Sequence, residues 1–197
     1  MRGVRRWLGV IGAAVGIMTA TPGCSILQRE PEVVHTLPET CPMDADRAVV
    51  VHKSERALGL YLGRRLVSVY HISLGEHPEG HKQRMGDGRT PEGLYAICTR
   101  NPKSRFDLFL GFSYPRVEDA DAALREGRIT MVHHAAIAAA HAAEEKPPWE
   151  TPLGGAIGIH GGGTHGDWTS GCIAVSQSAI EELDRELRMG DTILIEP

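Results

Sequence analysis

A chain of 197 residues with 42% hydrophobic and 23% charged residues carries enough apolar material for one domain with a real core. Its formal net charge of −4 excludes a surface built to coat nucleic acid, and its composition is not that of a disordered chain. No nucleic-acid partner is expected, so function must reside in a local constellation of residues.

The first residues do not read as part of the globule. Arg2, Arg5 and Arg6 precede an apolar stretch from Trp7 to Ala20, and Thr21-Pro22-Gly23-Cys24 follows. Basic, then apolar, then small is the layout of a secretory signal, so residues 1–23 are expected to be a signal peptide for export to the bacterial periplasm or cell envelope. The apolar run, about 14 residues, is too short to cross a bilayer comfortably. Cys24 also resembles the cleavage site of bacterial lipoproteins, where the cysteine receives lipid, although Thr21 stands where that pattern prefers Leu. Residues 24–46, with Pro31 and Pro38 and little periodicity, are expected to be a tether, attached to a membrane if Cys24 is lipidated.

Export makes the remaining cysteines informative. Cys41, Cys98 and Cys172 are odd in number, so at least one thiol stays free unless it pairs between chains. A Cys41–Cys98 bridge and two small buried side chains are both open readings, and in either case Cys172 is the candidate free thiol.

Ala48–Lys53, Ala57–Leu62 and Leu66–Leu74 are rich in Val, Leu, Tyr and Ile, with Ser54-Glu55 and Gly63-Arg64 between them. This is the pattern of consecutive antiparallel strands joined by tight turns. Gly75–Thr90 is polar and reads as a long loop; Pro91-Glu92-Gly93 turns the chain into a strand over Leu94–Cys98, and residues 106–113 suit another, ended by Tyr114-Pro115. The pattern then becomes helical. Val117–Glu126 stops at Gly127, and Thr130 caps an alanine-rich helix reaching Glu145 before Pro147-Pro148. His133, His134 and His141 on that helix have no acidic or Cys residue at ligand spacing and read as a solvated face. Residues 155–160 and 172–175 are short strands. Ser178 with Glu181 makes a capping box for a helix over Ala179–Arg188, Gly190 ends it, and Asp191–Glu196 is a final strand. The expectation is one mainly β (α+β) domain over 47–197, with a helical insertion near 115–150 and one late helix.

Between two of those strands lies IHGGGTHGDWTSGCIAV, residues 159–175. His160, His165, Asp167 and Cys172 offer N, N, O and S ligands, but the spacing matches no familiar zinc site, and the glycines after His160 favour close backbone approach over a rigid ligand array. No metal or other cofactor is expected. A nucleophilic reading fits better: a thiol with an ordinary pKa of about 8.5 is only a few per cent thiolate at neutral pH and needs an imidazole to take its proton. If the two strands pair, His160 at the end of one and Cys172 at the start of the next lie side by side, about 5.5 Å apart at the backbone. Gly171 lets its own N–H and that of Cys172 face a developing oxyanion. Gly161 leaves a bare carbonyl to hold the imidazole by its other nitrogen. Asp167 reads as a turn residue, and Trp168 either walls the acyl pocket or only packs.

The stretch resembles the YkuD-type L,D-transpeptidases, in which a His is followed by a Ser/Thr-His-Gly-Cys segment; here His160-Gly161 is followed by Ser170-Gly171-Cys172-Ile173. VVVHKSERALGLYLGRRLVSVYHISLG resembles that domain's first hairpins, GDGRTPEGLY its substrate-side loop and strand, and GDTILIEP its closing strand. FSYPRVEDADAALREG and WTSGCIAVS look like the YafK-like branch of the family. The resemblance covers about residues 47–196 and implies a YkuD-like β-sandwich or barrel. It implies Cys172 as nucleophile, His160 as general base, Gly161 as the carbonyl that orients it, and the backbone of Ser170, Gly171 and Cys172 as the oxyanion-hole region.

The implied reaction is attack on the carbonyl between the L-centre of a diamino acid and the terminal D-Ala of a peptidoglycan tetrapeptide stem. D-Ala leaves, and an amine resolves the thioester in cell wall crosslinking or remodelling. Resolution by water would make the chain a hydrolase, and a non-catalytic wall- or zinc-binding module is a third reading. Arg89 is a candidate for binding an anionic peptide. Two departures stand out: Ser170 occupies the place of the second His, and Ala174 that of an Arg after the hydrophobic residue, which leaves donor carboxylate recognition without that cation.

Overall fold

The computed structural model describes residues 45–197. The expected signal peptide, Cys24, Cys41 and nearly all of the tether lie outside the described residues. In chain order the elements are β1 (Arg47–His52), β2 (Ala57–Leu62), β3 (Arg65–His71), β4 (Gly93–Ser104), β5 (Asp107–Phe112), α1 (Val117–Arg125), α2 (Met131–Ala142), β6 (Gly158–His160), β7 (Ile173–Ala174), α3 (Gln177–Glu186) and β8 (Thr192–Glu196).

The strands form one sheet in the order β3-β2-β1-β8-β4-β5-β6-β7. β1, β2 and β3 make the expected antiparallel meander, β8 inserts parallel to β1, and β4 and β5 continue antiparallel. Isolated bridges between Ser73 and Ala174 and between Gly75 and Thr169 then draw the two ends of the sheet together. The result is a mainly β, curled sheet whose edges meet at a seam, and edge strands that find partners there present no open template. The glycine-rich stretch of residues 159–175 lies along that seam.

Alternation explains the core. Val49 and Val51 of β1 join Leu58, Leu60, Ile97, Leu110, Phe112, Ile159 and Ile173 inside the curl, while Ala48 and Val50 face a smaller cluster with Tyr61 and Leu194. α3 adds Ala179, Ile180 and Leu183 to the main core. The α1–α2 insertion has its own cluster of Ala120, Ala123, Ile129, Ile137 and Leu153. Each fully buried side chain of this size is worth about 1.5–3 kcal/mol.

Several boundaries differ from the sequence reading, for local reasons. β4 extends to Ser104 because the polar residues after Cys98 pair with β5 as a hairpin that reaches beyond the core. α2 ends at Ala142, with Glu144 left-handed at φ +55° behind it. α3 begins earlier than expected: Ser176, not Ser178, is the cap, its Oγ accepting the Ala179 N–H at 3.2 Å. The histidines of α2 are not a solvated face. His134 Nε2 meets Asp121 of α1 at 2.6 Å and His141 Nε2 donates to the Pro115 carbonyl at 2.8 Å, so they stitch the insertion together.

Candidate active site

β6 and β7 are neighbours and set the two chemical residues of the stretch on adjacent segments, in a register other than the expected one. They run parallel, with Ile159 opposite Ile173 and His160 opposite Ala174, so His160 and Cys172 are not directly opposed. A parallel pair needs a connection of about a dozen residues, and residues 161–172 supply it. Since side chains alternate across a strand, Ile159 and Ile173 enter the core and His160 is sent to the opposite face. Cys172, just before β7, reaches the start of β6: its Sγ donates to the Ala156 carbonyl at 3.4 Å, and the Gly158 N–H is directed at the sulfur.

The His160 ring is buried, 2% exposed, and held on three sides. Its Nδ1–H donates to the Gly161 carbonyl at 2.5 Å; a carbonyl can only accept, so the neutral ring keeps its lone pair on Nε2. Phe106, at the tip of the β4–β5 hairpin, stacks on the imidazole at 4.1 Å between centroids and 10° between planes. Trp168 meets it edge-on at 5.6 Å and donates its indole N–H to the Gly163 carbonyl. Close approach explains Gly161: a Cβ there would lie 3.2 Å from the Phe106 carbonyl and 2.5 Å from Gln177 Oε1.

Thr169 holds the turn before the thiol. Its Oγ1 donates to the Cys172 carbonyl at 2.7 Å and accepts the Gly171 N–H at 3.1 Å. Of the two N–H groups expected to face an oxyanion, that of Gly171 is therefore engaged inside the turn. Gly171 has φ +128°, and a Cβ there would lie 2.6 Å from the Arg89 carbonyl, so only glycine fits. Ser170 is exposed beside it, and Cys172 is partly exposed.

Electrostatics favours the neutral forms of both groups. Burial lowers the His160 pKa, with the Gly161 hydrogen bond opposing and the Arg105 charge assisting. Burial raises the Cys172 thiol, against the Gly158 N–H and the charges of Lys82 and Arg105. Burial thus acts on both groups in the same sense, toward thiol and neutral imidazole.

The remaining candidates fall into place around this centre. Asp167 is more than a turn residue: it accepts from Arg56 through Oδ1 and Oδ2 at 3.1 Å each and from the Leu74 N–H at 2.9 Å, pinning the loop that carries Trp168 and Thr169. With Asp167 committed there and His165 exposed, the four possible ligands are not gathered; among the described residues no three His, Cys, Asp or Glu side chains form a metal-binding group. Arg89, whose carbonyl lies against Gly171, lines a cavity of about 440 Å³ with His77, Arg84 and Arg128. Ala174 is fully buried. Cys98 carries a free thiol, pushed up to about 11 by burial. Sequence reasoning missed Phe106, Thr169 and Arg56; of these only Thr169, two residues ahead of Gly171, carried a local signal.

The model of the YkuD family, the L,D-transpeptidase catalytic domain, matches residues 46–195. The chain belongs to this family. The chain is 32% identical over 91 residues to the L,D-transpeptidase YafK of Escherichia coli (strain K12), a match covering 43% of this chain and 37% of that relative. In fold it is similar to the helical cell shape determining protein Pgp2 from Campylobacter jejuni, at 21% identity and a TM-score of 0.54, covering 78% of this chain and 48% of that one. It is also similar to Bd1075 from Bdellovibrio bacteriovorus, at 20% identity and a TM-score of 0.50, covering 83% of this chain and 51% of that one. The matched part thus spans about half the length of these solved chains and less of the curated relative.

Proposed function

We propose that this chain is a cysteine-dependent L,D-transpeptidase acting on peptidoglycan stem peptides, with Cys172 as nucleophile and His160 as general base. The observation that carries the reading is a partly exposed thiol just ahead of β7, the strand parallel to the one that ends in His160, whose buried imidazole has its Nδ1–H tied to the Gly161 carbonyl, leaving Nε2 as the proton acceptor.

Because burial disfavours both charged forms, proton transfer accompanies attack. Nε2 takes the thiol proton as Sγ bonds to the carbonyl carbon on the L-centre side of the scissile bond, and the carbonyl π electrons move to oxygen. The Cys172 N–H, in the turn held by Thr169, faces that oxyanion; one such donor is worth about 2.7–4 kcal/mol. Collapse breaks the C–N bond, and the imidazolium returns its proton to the departing D-Ala nitrogen, leaving a thioester. An acceptor amine attacks, loses a proton to Nε2, and the thiol is regenerated. Arg89 and its groove flank the acyl side and Trp168 the base side. This chemistry belongs in the cell envelope, where the signal read in residues 1–23 would deliver the chain and lipid on Cys24 would anchor it.

Intact mass after incubation with a carbapenem tests the nucleophile. The expected result is a one-to-one adduct that Cys172→Ala abolishes; absence of an adduct on folded wild-type protein, or its persistence in Cys172→Ala, overturns the reading. With purified tetrapeptide stems, a crosslinked product together with released D-Ala marks a transpeptidase, and D-Ala release without acceptor-dependent product marks a hydrolase.

A further inference from the structure

We propose that Trp149 is a positioning residue for the nucleophile: it seats the turn whose Ala156 carbonyl holds the Cys172 thiol by a hydrogen bond. The proposal rests on the acyl-transfer reading above and gives the chain that leaves α2 a part in that site.

The turn is held in a conformation it would not choose. Ala156 has φ +53°, a left-handed value that is costly for a residue with a Cβ, and Gly154 ahead of it has φ +78°. Such a backbone persists only where its surroundings fix it. On one side the Ile157 carbonyl accepts the Phe112 N–H of β5 at 2.8 Å. On the other the Gly154 N–H donates to the Thr151 carbonyl at 2.8 Å, and a Cβ on Gly154 would lie 3.2 Å from Met85 Cα. Ala156 stands between these anchors, exposed, with its carbonyl accepting from Cys172 Sγ at 3.4 Å.

Trp149 supplies the wall behind the turn. A Cβ on Gly155 would lie 2.2 Å from its Cδ1 and 2.4 Å from its Cγ, and a Cβ on Gly111 of β5 would lie 3.3 Å from its Cη2. The indole therefore fills a notch left by two glycines, one in the turn and one in the sheet. Phe109 meets it edge-on at 6.4 Å, and the Lys146 ammonium stands over the ring at 4.0 Å. Its Nε1–H is buried without an acceptor among the described residues, so it is the flat ring, not the polar group, that seats the turn.

This contact has a chemical consequence for the thiol. A carbonyl accepts only from the protonated form, whereas the Gly158 N–H directed at the sulfur favours the thiolate. The proton must leave the Ala156 carbonyl before His160 Nε2 can take it. The turn thus sets where the sulfur starts and how readily its proton is released.

Infrared spectra of the S–H stretch test the assignment, with the spectrum of Cys172→Ala subtracted so that only this thiol is read. In wild type the band is expected below that of a free thiol, because a hydrogen bond weakens the S–H bond. Trp149→Ala should move the band to the free position and lower kcat for release of the terminal residue about a hundredfold, with KM changing less than about twofold. Trp149→Leu, a milder truncation should the first not fold, should move band and kcat in the same sense. Trp149→Phe keeps a ring in the notch and should keep the wild-type band, with kcat within about twofold. A wild-type band at the free position, a band that stays in place in the truncated variants, or a Trp149→Phe that behaves as they do overturns the assignment. The band reads the resting thiol without turnover. A wild type that forms no carbapenem adduct and releases no terminal residue overturns instead the acyl-transfer reading beneath it, so the two failures are distinct.

Discussion

The site has two flanks built on opposite principles. The loop of residues 75–92 is fastened by buried charges that have found partners: Lys53 Nζ donates to Glu92 at 2.7 Å and to the carbonyls of Gly80 and Thr90, and Lys82 Nζ donates to Asp87 at 2.8 Å. His81 accepts the Glu92 N–H on Nδ1 and donates from Nε2 to Asp119 at 2.9 Å. The β4–β5 tip has nothing of the kind. Stacked rings hold it, and the cation it carries is unpaired among the described residues. A buried charge without a partner is too costly to keep, so the first flank must be complete before substrate arrives. An exposed charge costs little to leave open, so the second flank needs no such fastening.

The largest expected effect belongs to the centre both flanks serve. His160→Ala should reduce kcat by about 10²–10⁴, the usual contribution of a positioned base, with the fold intact by circular dichroism. Because burial and Arg105 lower the imidazole pKa, the rise of kcat/KM with pH in wild type should be centred below the ordinary histidine value of about 6.5. A midpoint above that value would show that the ring is not held as described.

Next comes the fastened flank. Lys53→Ala strips Glu92 and two carbonyls of their shared donor and should cost about 3 kcal/mol in urea unfolding. If stability is unchanged, the loop is not held by this charge.

A gentler break uses acid. Burial alone would raise the Asp87 carboxyl, but Lys82 and the N–H groups of Gln83, Arg84 and Arg89 outweigh it and hold it at about 2, against 3.8 for the free group. With the folded value below the unfolded one, the carboxylate stabilises the fold fully above about pH 4, and this contribution, about 2 kcal/mol, is lost as pH falls toward 2. Asp87→Asn should flatten the stability curve over that window; an unchanged slope counts against the arrangement.

The two flanks also differ in how far the sequence revealed them. The meander, the α1 end at Gly127 and the Thr130 cap were readable because strand alternation, a left-handed glycine and a capping hydroxyl are local signals. The likeness to the L,D-transpeptidase family was readable because a His, a Cys and the glycines beside them stand in one short stretch. The parallel register of β6 and β7 was not, since nothing in twelve loop residues says which way the chain returns. Nor were Phe106 and Arg105. Asn101-Pro102-Lys103-Ser104 reads as loop, and only the β5–β6 pairing, with Phe109 opposite His160, brings the Phe106 ring to the imidazole from more than fifty residues away. Lys53 is a similar case: a lysine at a strand end is ordinarily solvated, and its burial depends on a loop that folds back over it.

The smallest effect tests the comparison most sharply. Arg105→Ala should change stability by no more than about 0.5 kcal/mol, because an exposed side chain without an ion pair gives up only its contact with the Phe106 ring. Lys53 is also a single cation, yet its removal is expected to cost several times more. The difference comes from burial and partners alone. If Arg105→Ala destabilised the protein as much as Lys53→Ala, the tip would be a structural fastening like the loop, and its charge would already be in use. If stability holds, the cation at the tip takes no part in holding the fold, whereas that of Lys53 does.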